Sequence, residues 1–338
     1  MKRIIAVLLL VFLVFSVCAC SAQGNVSSGE TGKGRLRVIT TIFPQYDFSR
    51  EIGADKLNLS MLLPPGSESH SFEPSPQDII DIGECDVFIY VGGESESWVD
   101  TILESVDTSH MTILSLMDMV DTVEEEIVEG MEHEHDEDHA HEQDHTHTED
   151  EEHAHEEGEQ EEAEYDEHVW TSPVNAVKIT EQITKAFAER DPQNADFYEE
   201  HAENYIKELE NLDAQFREIV DGASRKTLVF GDRFPFRYFA DEYGLTYYAA
   251  FPGCSTETEP SAQTVAFLID MIKEQDIPAV FHIEFSNERM ADTISESTGC
   301  EKLLLHSCHN VSRDDINGGV NYLDLMRQNA INLKEALY

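Results

Sequence analysis

Short apolar runs and stretches with helical spacing of apolar residues alternate along this chain, and the alternation occurs twice. In the first series, Leu36–Ile42, Lys56–Leu63, Asp86–Val91 and Met111–Leu116 predict strands, and Pro44–Ile52, Ser75–Gly83 and Glu96–Val106 predict the helices between them. In the second, Thr227–Phe230, Leu245–Phe251, Ala279–Phe285 and Lys302–His306 predict strands, with helices at Phe236–Tyr243, Ser261–Gln275, Asn287–Thr298 and Val320–Leu337. Between the two series, Val174–Arg190 and Pro192–Val220 read as helices. Pro192 follows Asp191, a candidate N-cap, and Phe197, Tyr205, Leu209, Leu212, Phe216 and Ile219 recur on one helical face. A βα series implies a parallel sheet covered on both faces. The predicted architecture is therefore α/β: two lobes, each a parallel sheet flanked by helices, joined by long helix. Ligands of such sheets bind outside the carboxyl ends of the strands, which places a site in the cleft between the lobes.

The amino terminus does not fit this scheme. Met1-Lys2-Arg3 is basic, and Ile4 to Val17 is an apolar run of fourteen residues, too short to span a bilayer comfortably and suited to a signal peptide. Val17-Cys18-Ala19-Cys20 resembles a bacterial lipobox with Cys20 as the lipidated first residue; Cys18 is the weaker choice because bulky Val17 precedes it. Residues 21–35 have the composition of a flexible tether. The chain then divides into a signal peptide (1–19), a lipidated terminus and tether (20–35), an N-terminal lobe (36–120), an insert (121–167), linking helices (168–222) and a C-terminal lobe (223–338).

Charge adds the chemistry. The formal net charge of −47 argues against nucleic acid and is compatible with cations as ligands. Residues 121–167 hold 24 Asp and Glu and no Lys or Arg, so about half of the imbalance belongs to one insert. That insert carries His133, His135, His139, His141, His145, His147, His153 and His155, many beside Glu or Asp. Imidazole and carboxylate are both Zn²⁺ ligands. The segment is almost devoid of apolar residues, cannot form a core, and reads as a disordered loop that binds several ions weakly. A tight, selective site must lie elsewhere. His70, His168, His306 and His309 fall at predicted strand ends or in adjoining loops, on the edge that faces the cleft.

At these motifs the chain resembles the ABC-importer substrate-binding lipoproteins for Zn²⁺ or Mn²⁺, over nearly all of residues 36–338. Thr40 to Phe48 is similar to the family's opening strand and helix. Pro64-Pro65-Gly66 through His70 to Pro76 matches the motif bearing the first His ligand, and His168-Val169-Trp170-Thr171-Ser172-Pro173 matches the second. The acidic His-rich insert is typical of the zinc branch. The resemblance implies a receptor that captures Zn²⁺, or alternatively Mn²⁺, and delivers it to permease subunits in the membrane driven by a cytoplasmic ATPase. It departs at two places. Gly231 stands where zinc-specific members carry a third His, and the family's last ligand, an Asp, falls near Ser307. Asp232, His306 and His309 are the candidates to complete the site, whereas His282 and Glu284 read as structural.

Four cysteines remain in the mature body: Cys85, Cys254, Cys300 and Cys308. In an exported protein a Cys254–Cys308 disulfide is expected, with Cys254–Cys300 as the alternative and thiolate ligation by Cys308 as the rival. A metal-dependent secreted hydrolase is the runner-up function, but His-Glu-x-x-His, Gly-x-Ser-x-Gly and Walker patterns are missing. The chain therefore reads as a non-enzymatic, monomeric receptor. Adhesion, a property attributed to related lipoproteins, has no direct support in the sequence.

Overall fold

The computed structural model describes residues 34–67, 72–131, 164–255 and 260–338. The signal peptide, Cys20, His70 and the eight His of the insert lie outside the described residues. Met1–Arg35 and Leu36–Tyr338 separate as two units, and the second carries both sheets.

In the first lobe, β1 (Leu36–Thr40), β2 (Leu57–Met61), β3 (Val87–Tyr90) and β4 (Thr112–Ser115) form a parallel sheet in the order β2-β1-β3-β4. The central pair is in register at Val38 with Val87 and Thr40 with Ile89. Val38, Val87, Phe88 and Ile89 are fully buried, as a strand covered on both faces requires. The crossovers are α1 (Phe43–Gly53), α2 (Pro76–Glu84) and α3 (Trp98–Ser105). Ser75 starts α2 with a capping box: its hydroxyl accepts the Asp78 N–H at 3.3 Å, and the Asp78 carboxylate accepts the Ser75 N–H at 2.7 Å.

The second lobe repeats the plan. Strands β5 (Thr227–Phe234), β6 (Thr246–Pro252), β7 (Ala279–His282) and β8 (Glu301–Leu304) pair in parallel in the order β6-β5-β7-β8. Its helices are α6 (Arg237–Tyr243), α7 (Ala262–Gln275), α8 (Arg289–Thr298), α9 (Arg313–Gly318) and α10 (Tyr322–Leu337). Between the lobes run α4 (Pro173–Arg190) and α5 (Ala195–Gly222), the latter 28 residues and about 42 Å long. The predicted stripe on α5 is the buried one: Tyr205, Leu209, Leu212, Phe216 and Ile219 face inward. The helix packs on α1 of the first lobe and on α6 and α10 of the second, so one apolar cluster runs through both lobes.

Three details differ from the pattern of the sequence. Pro192–Asn194 is a separate 3₁₀ turn before α5, held by Asp191, whose carboxylate accepts from the Asn194 amide at 2.6 Å and the Tyr198 hydroxyl at 2.8 Å. Strand β5 continues beyond Phe230 through a register shift to Phe234. Helix α9 has no counterpart among the predicted elements, although Ser312 and Asp315 form a capping box that marks its start.

Candidate metal site in the interlobe cleft

The chain leaving the first lobe and the chain returning to it lie side by side. Asp166 N–H donates to the Val123 carbonyl at 3.0 Å, and Glu125 N–H to Glu164 at 2.9 Å. The Tyr238 hydroxyl of α6 ties this pair down by donating to the Asp166 carbonyl at 2.7 Å. Two residues later comes His168, 1% exposed. Its Nδ1 lies 3.1 Å from Asp166 Oδ1, which also accepts the His168 N–H at 2.8 Å. A carboxylate at Nδ1 selects the tautomer with the proton there, and so leaves the Nε2 lone pair for a metal. Burial opposes charging this ring, but the carboxylates of Asp166, Glu167 and Glu125 outweigh it and raise its proton affinity above the ordinary imidazole range. The same field favours a divalent cation.

His309 approaches from the loop after β8. Its ring centroid lies 5.6 Å from that of His168, with the planes at 79°. Two imidazoles on one tetrahedral ion, with Zn–N near 2.0–2.1 Å, place their ring centroids about 5 Å apart, so the observed pair stands close to that spacing. Both rings line a cavity of about 30 Å³ shared with Ser67, Arg233, Glu284 and Asn310. That volume suffices for one ion or one water.

Glu284 organises the loop that carries His309. Its carboxylate accepts the Ser307 N–H at 2.7 Å, the Ser307 hydroxyl at 2.6 Å and the His309 N–H at 3.2 Å. The Arg233 guanidinium, also at the cavity wall, donates to the Ser255 carbonyl at 3.3 Å. On the first lobe, Asn310 Nδ2 donates to the carbonyls of Pro64 and Ser67, each at 2.9 Å, and Gly66 N–H donates to Val311. The segment that leads towards His70 is thus docked at the cavity edge, while His70 itself lies outside the described residues.

Other candidates are placed elsewhere. His306 does not line the cavity: its Nδ1 accepts the Cys308 N–H at 2.9 Å and sits 3.5 Å from Glu284 Oε1, so that nitrogen serves the loop's own fold. Asp232 is a brace, because Oδ2 accepts the Ile283 N–H at 3.2 Å and Oδ1 the Arg233 N–H at 2.9 Å, fixing the end of β5 to the end of β7. Gly231 does not mark an empty ligand position. A Cβ there would stand 2.8 Å from both Cα and N of Ala291, so a side chain would point into α8. The expected Cys254–Cys308 disulfide, and equally Cys254–Cys300, is replaced by free thiols at Cys85, Cys254, Cys300 and Cys308. Cys308 is completely buried beside Glu284 and Asp47, whereas Cys254 lies among Asp166, Glu167 and Glu125; burial followed by these carboxylates pushes both thiols up. Cys308 is fully buried and does not line the cavity, so its sulfur is not placed for ligation there.

Sequence reasoning missed the supporting residues Asp166, Trp170 and Asn310 and gave Glu284 only a general structural role. A carboxylate two residues before a candidate His was the available signal for Asp166. Nothing in the sequence announces the others, because their partners lie far along the chain.

Comparison with known proteins identifies the family. The family model for zinc-uptake complex component A, periplasmic, matches residues 38–336. The high-affinity zinc uptake system protein ZnuA of Bacillus subtilis is 32% identical over 95% of this chain and 93% of its own length. The zinc-binding lipoprotein AdcA of Streptococcus pneumoniae is 31% identical over 99% of this chain, which spans only 61% of AdcA. The crystal structure of the Zn(II)-bound ZnuA-like domain of AdcA superposes with a TM-score of 0.69 at 27% identity, over 90% of this chain and 99% of that one. The chain therefore belongs to the zinc-uptake complex component A family of periplasmic metal receptors.

Proposed function

We propose that this protein captures Zn²⁺ outside the cytoplasm in a site built from His168 and His309, completed by His70, and delivers it to an ABC importer. The family consists of substrate-binding receptors, not enzymes, and zinc is the metal its relatives are named for. The observation that carries the ligand assignment is the His168–His309 pair, whose rings meet edge to face at 5.6 Å on the wall of one small cavity. Imidazole donors favour Zn²⁺ over Mn²⁺, which prefers oxygen ligands. His306 and Asp232 are assigned to the frame rather than the coordination sphere.

The partners are the permease subunits and their cytoplasmic ATPase, met by a monomeric receptor. Lipidation at Cys20 would hold the receptor at the membrane surface, a reading supported by the lipobox-like sequence and by the lipoprotein name of AdcA. The eight His of the insert form the weak, multiple class of sites.

Zn²⁺ titration of the mature full chain against a competing chelator tests the assignment. His168→Ala and His309→Ala should each abolish the tight stoichiometric class, while His306→Ala and Asp232→Asn retain it. Full affinity in His309→Ala would remove that residue from the site.

A further inference from the structure

The loop between β8 and α9 belongs to the second lobe, yet four hydrogen bonds fasten it to the first. Phe43 N–H donates to the His309 carbonyl at 3.3 Å, Gly66 N–H to Val311 at 2.9 Å, and Asn310 Nδ2 to Pro64 and Ser67. Within the loop, Cys308 has a left-handed backbone, φ +60°, unfavourable for a residue with a Cβ. Such a loop keeps its shape only if its surroundings hold it.

One further tie comes from Trp170. Its indole Nε1–H donates to the Ser307 carbonyl at 2.8 Å, and its own carbonyl accepts the Tyr322 hydroxyl at 2.7 Å. The ring is buried, with its centroid 5.4 Å from that of His168 and 5.1 Å from that of His309. Trp170 thus touches both imidazoles and pins the backbone two residues before one of them.

We propose that Trp170 is a positioning residue that sets the coordination geometry and, through it, the preference for Zn²⁺ over Mn²⁺. The inference rests on His309 being a ligand. The indole N–H fixes where the His309 backbone starts, and the ring face limits how the imidazole turns. Together they hold the two rings at a centroid spacing close to that of two imidazoles on one four-coordinate ion, the arrangement zinc takes readily. Mn²⁺ is better served by more numerous oxygen donors. If His309 could swing outward, water would fill the vacated positions and the zinc advantage would shrink. Trp170 coordinates nothing itself; it acts through His309.

The test is Trp170→Phe in the mature full chain, which keeps an aromatic ring and deletes the N–H. Co²⁺ serves as the probe, since its visible absorption is intense in tetrahedral and weak in octahedral surroundings. Zn²⁺ affinity should fall about 10–100-fold, as for other groups that orient a metal-bound His. The Co²⁺ bands should weaken, and the Zn²⁺/Mn²⁺ affinity ratio should drop. Asn310→Ser, which loosens the same loop from the first lobe, should move the spectrum in the same direction. Tyr198→Phe removes a buried hydrogen bond remote from the cleft and should leave the spectrum unchanged whatever it does to stability. A wild-type Co²⁺ spectrum and metal ratio in both Trp170→Phe and Asn310→Ser overturns the positioning role. His309→Ala separates the two assignments. An unchanged spectrum in that variant refutes His309 as a ligand, whereas a changed spectrum there beside wild-type behaviour in Trp170→Phe refutes the positioning role alone.

Discussion

Gly231 offers the sharpest test of how this site is built. The family resemblance implies a His at this point in zinc-specific members, so Gly231→His is the obvious way to restore an imidazole. The geometry opposes this. An added Cβ meets Ala291 Cα and N at 2.8 Å and Ala291 Cβ at 3.1 Å. Two of those atoms are backbone of α8, so no rotamer change relieves the contact. Ordinary carbon contacts begin near 3.5 Å; α8 must therefore retreat by about 0.7 Å along its contact with β5. Val229 and Phe251 share a buried cluster with Ala291 and Ile294, and part of that packing would be lost. Overpacking of this kind costs about 1–3 kcal/mol.

Gly231→Ala isolates this cost, because the methyl group adds the clash and nothing else. At about 2–4 °C per kcal/mol for a protein approaching this size, its melting temperature should fall by about 2–12 °C. Gly231→His should fall at least as far and bind Zn²⁺ no more tightly than wild type. Thermal unfolding with chelator present and Zn²⁺ competition titration give the two readouts. A histidine variant with an unchanged melting temperature and tighter zinc binding would refute the reasoning, since it would place position 231 at the cavity.

Two further outcomes follow from buried carboxylates. Glu96 is buried, and desolvation, reinforced by Glu167, pushes its acid up from 4.5 to about 7 against donors that include the Val91 and Gly92 N–H groups. A raised acid stabilises the fold fully below its unfolded value and loses that contribution as pH rises through about 7, worth about 3 kcal/mol over the window. Glu96→Gln should therefore flatten the stability profile between about pH 4.5 and 7 and be the more stable protein at pH 8; equal slopes in urea denaturation of metal-free wild type and variant would contradict this. Asp166→Asn removes the carboxylate that orients His168 and should weaken Zn²⁺ binding about 10–100-fold with the fold intact, whereas chelator competition indistinguishable from wild type would show that Asp166 does not tune the ligand.

The strands and both long helices were legible from apolar runs or a stripe of fixed period, most fully buried in the central strands β1, β3, β5 and β7 and only partly in the edge strands β2, β4 and β8. The site was legible only in part. His168 stood out through its motif, but His306 and His309 share one short loop, and their spacing does not say which faces the cleft. The choice depends on the left-handed backbone at Cys308 and on Glu284, which binds Ser307 and His309 from the turn after β7. Gly231 reads as a missing side chain in sequence. Only the approach of α8 shows that the position faces a helix. The cysteine pairing failed for a related reason: falling after neighbouring strands does not bring two thiols together, and Cys254 and Cys308 lie in different surroundings.

Charge and coordination divide the work of capture between different parts of the chain. The net charge of −47, half of it in the insert, attracts any cation and distinguishes poorly among them. The cavity is built on another principle. His168 and His309, the proposed ligands, stand on its wall, the Glu284 carboxylate is engaged by three donors of the neighbouring loop, and the Arg233 guanidinium stands in the same wall. Although Asp166, Glu167 and Glu125 place negative charge around His168, a site with that field draws every divalent cation alike. It must recognise its metal by donor type and geometry, which favours zinc over Ca²⁺, Mg²⁺ or Mn²⁺. The acidic exterior raises the local supply of cations, and under the proposed assignment the imidazole pair in the cleft decides which of them is retained.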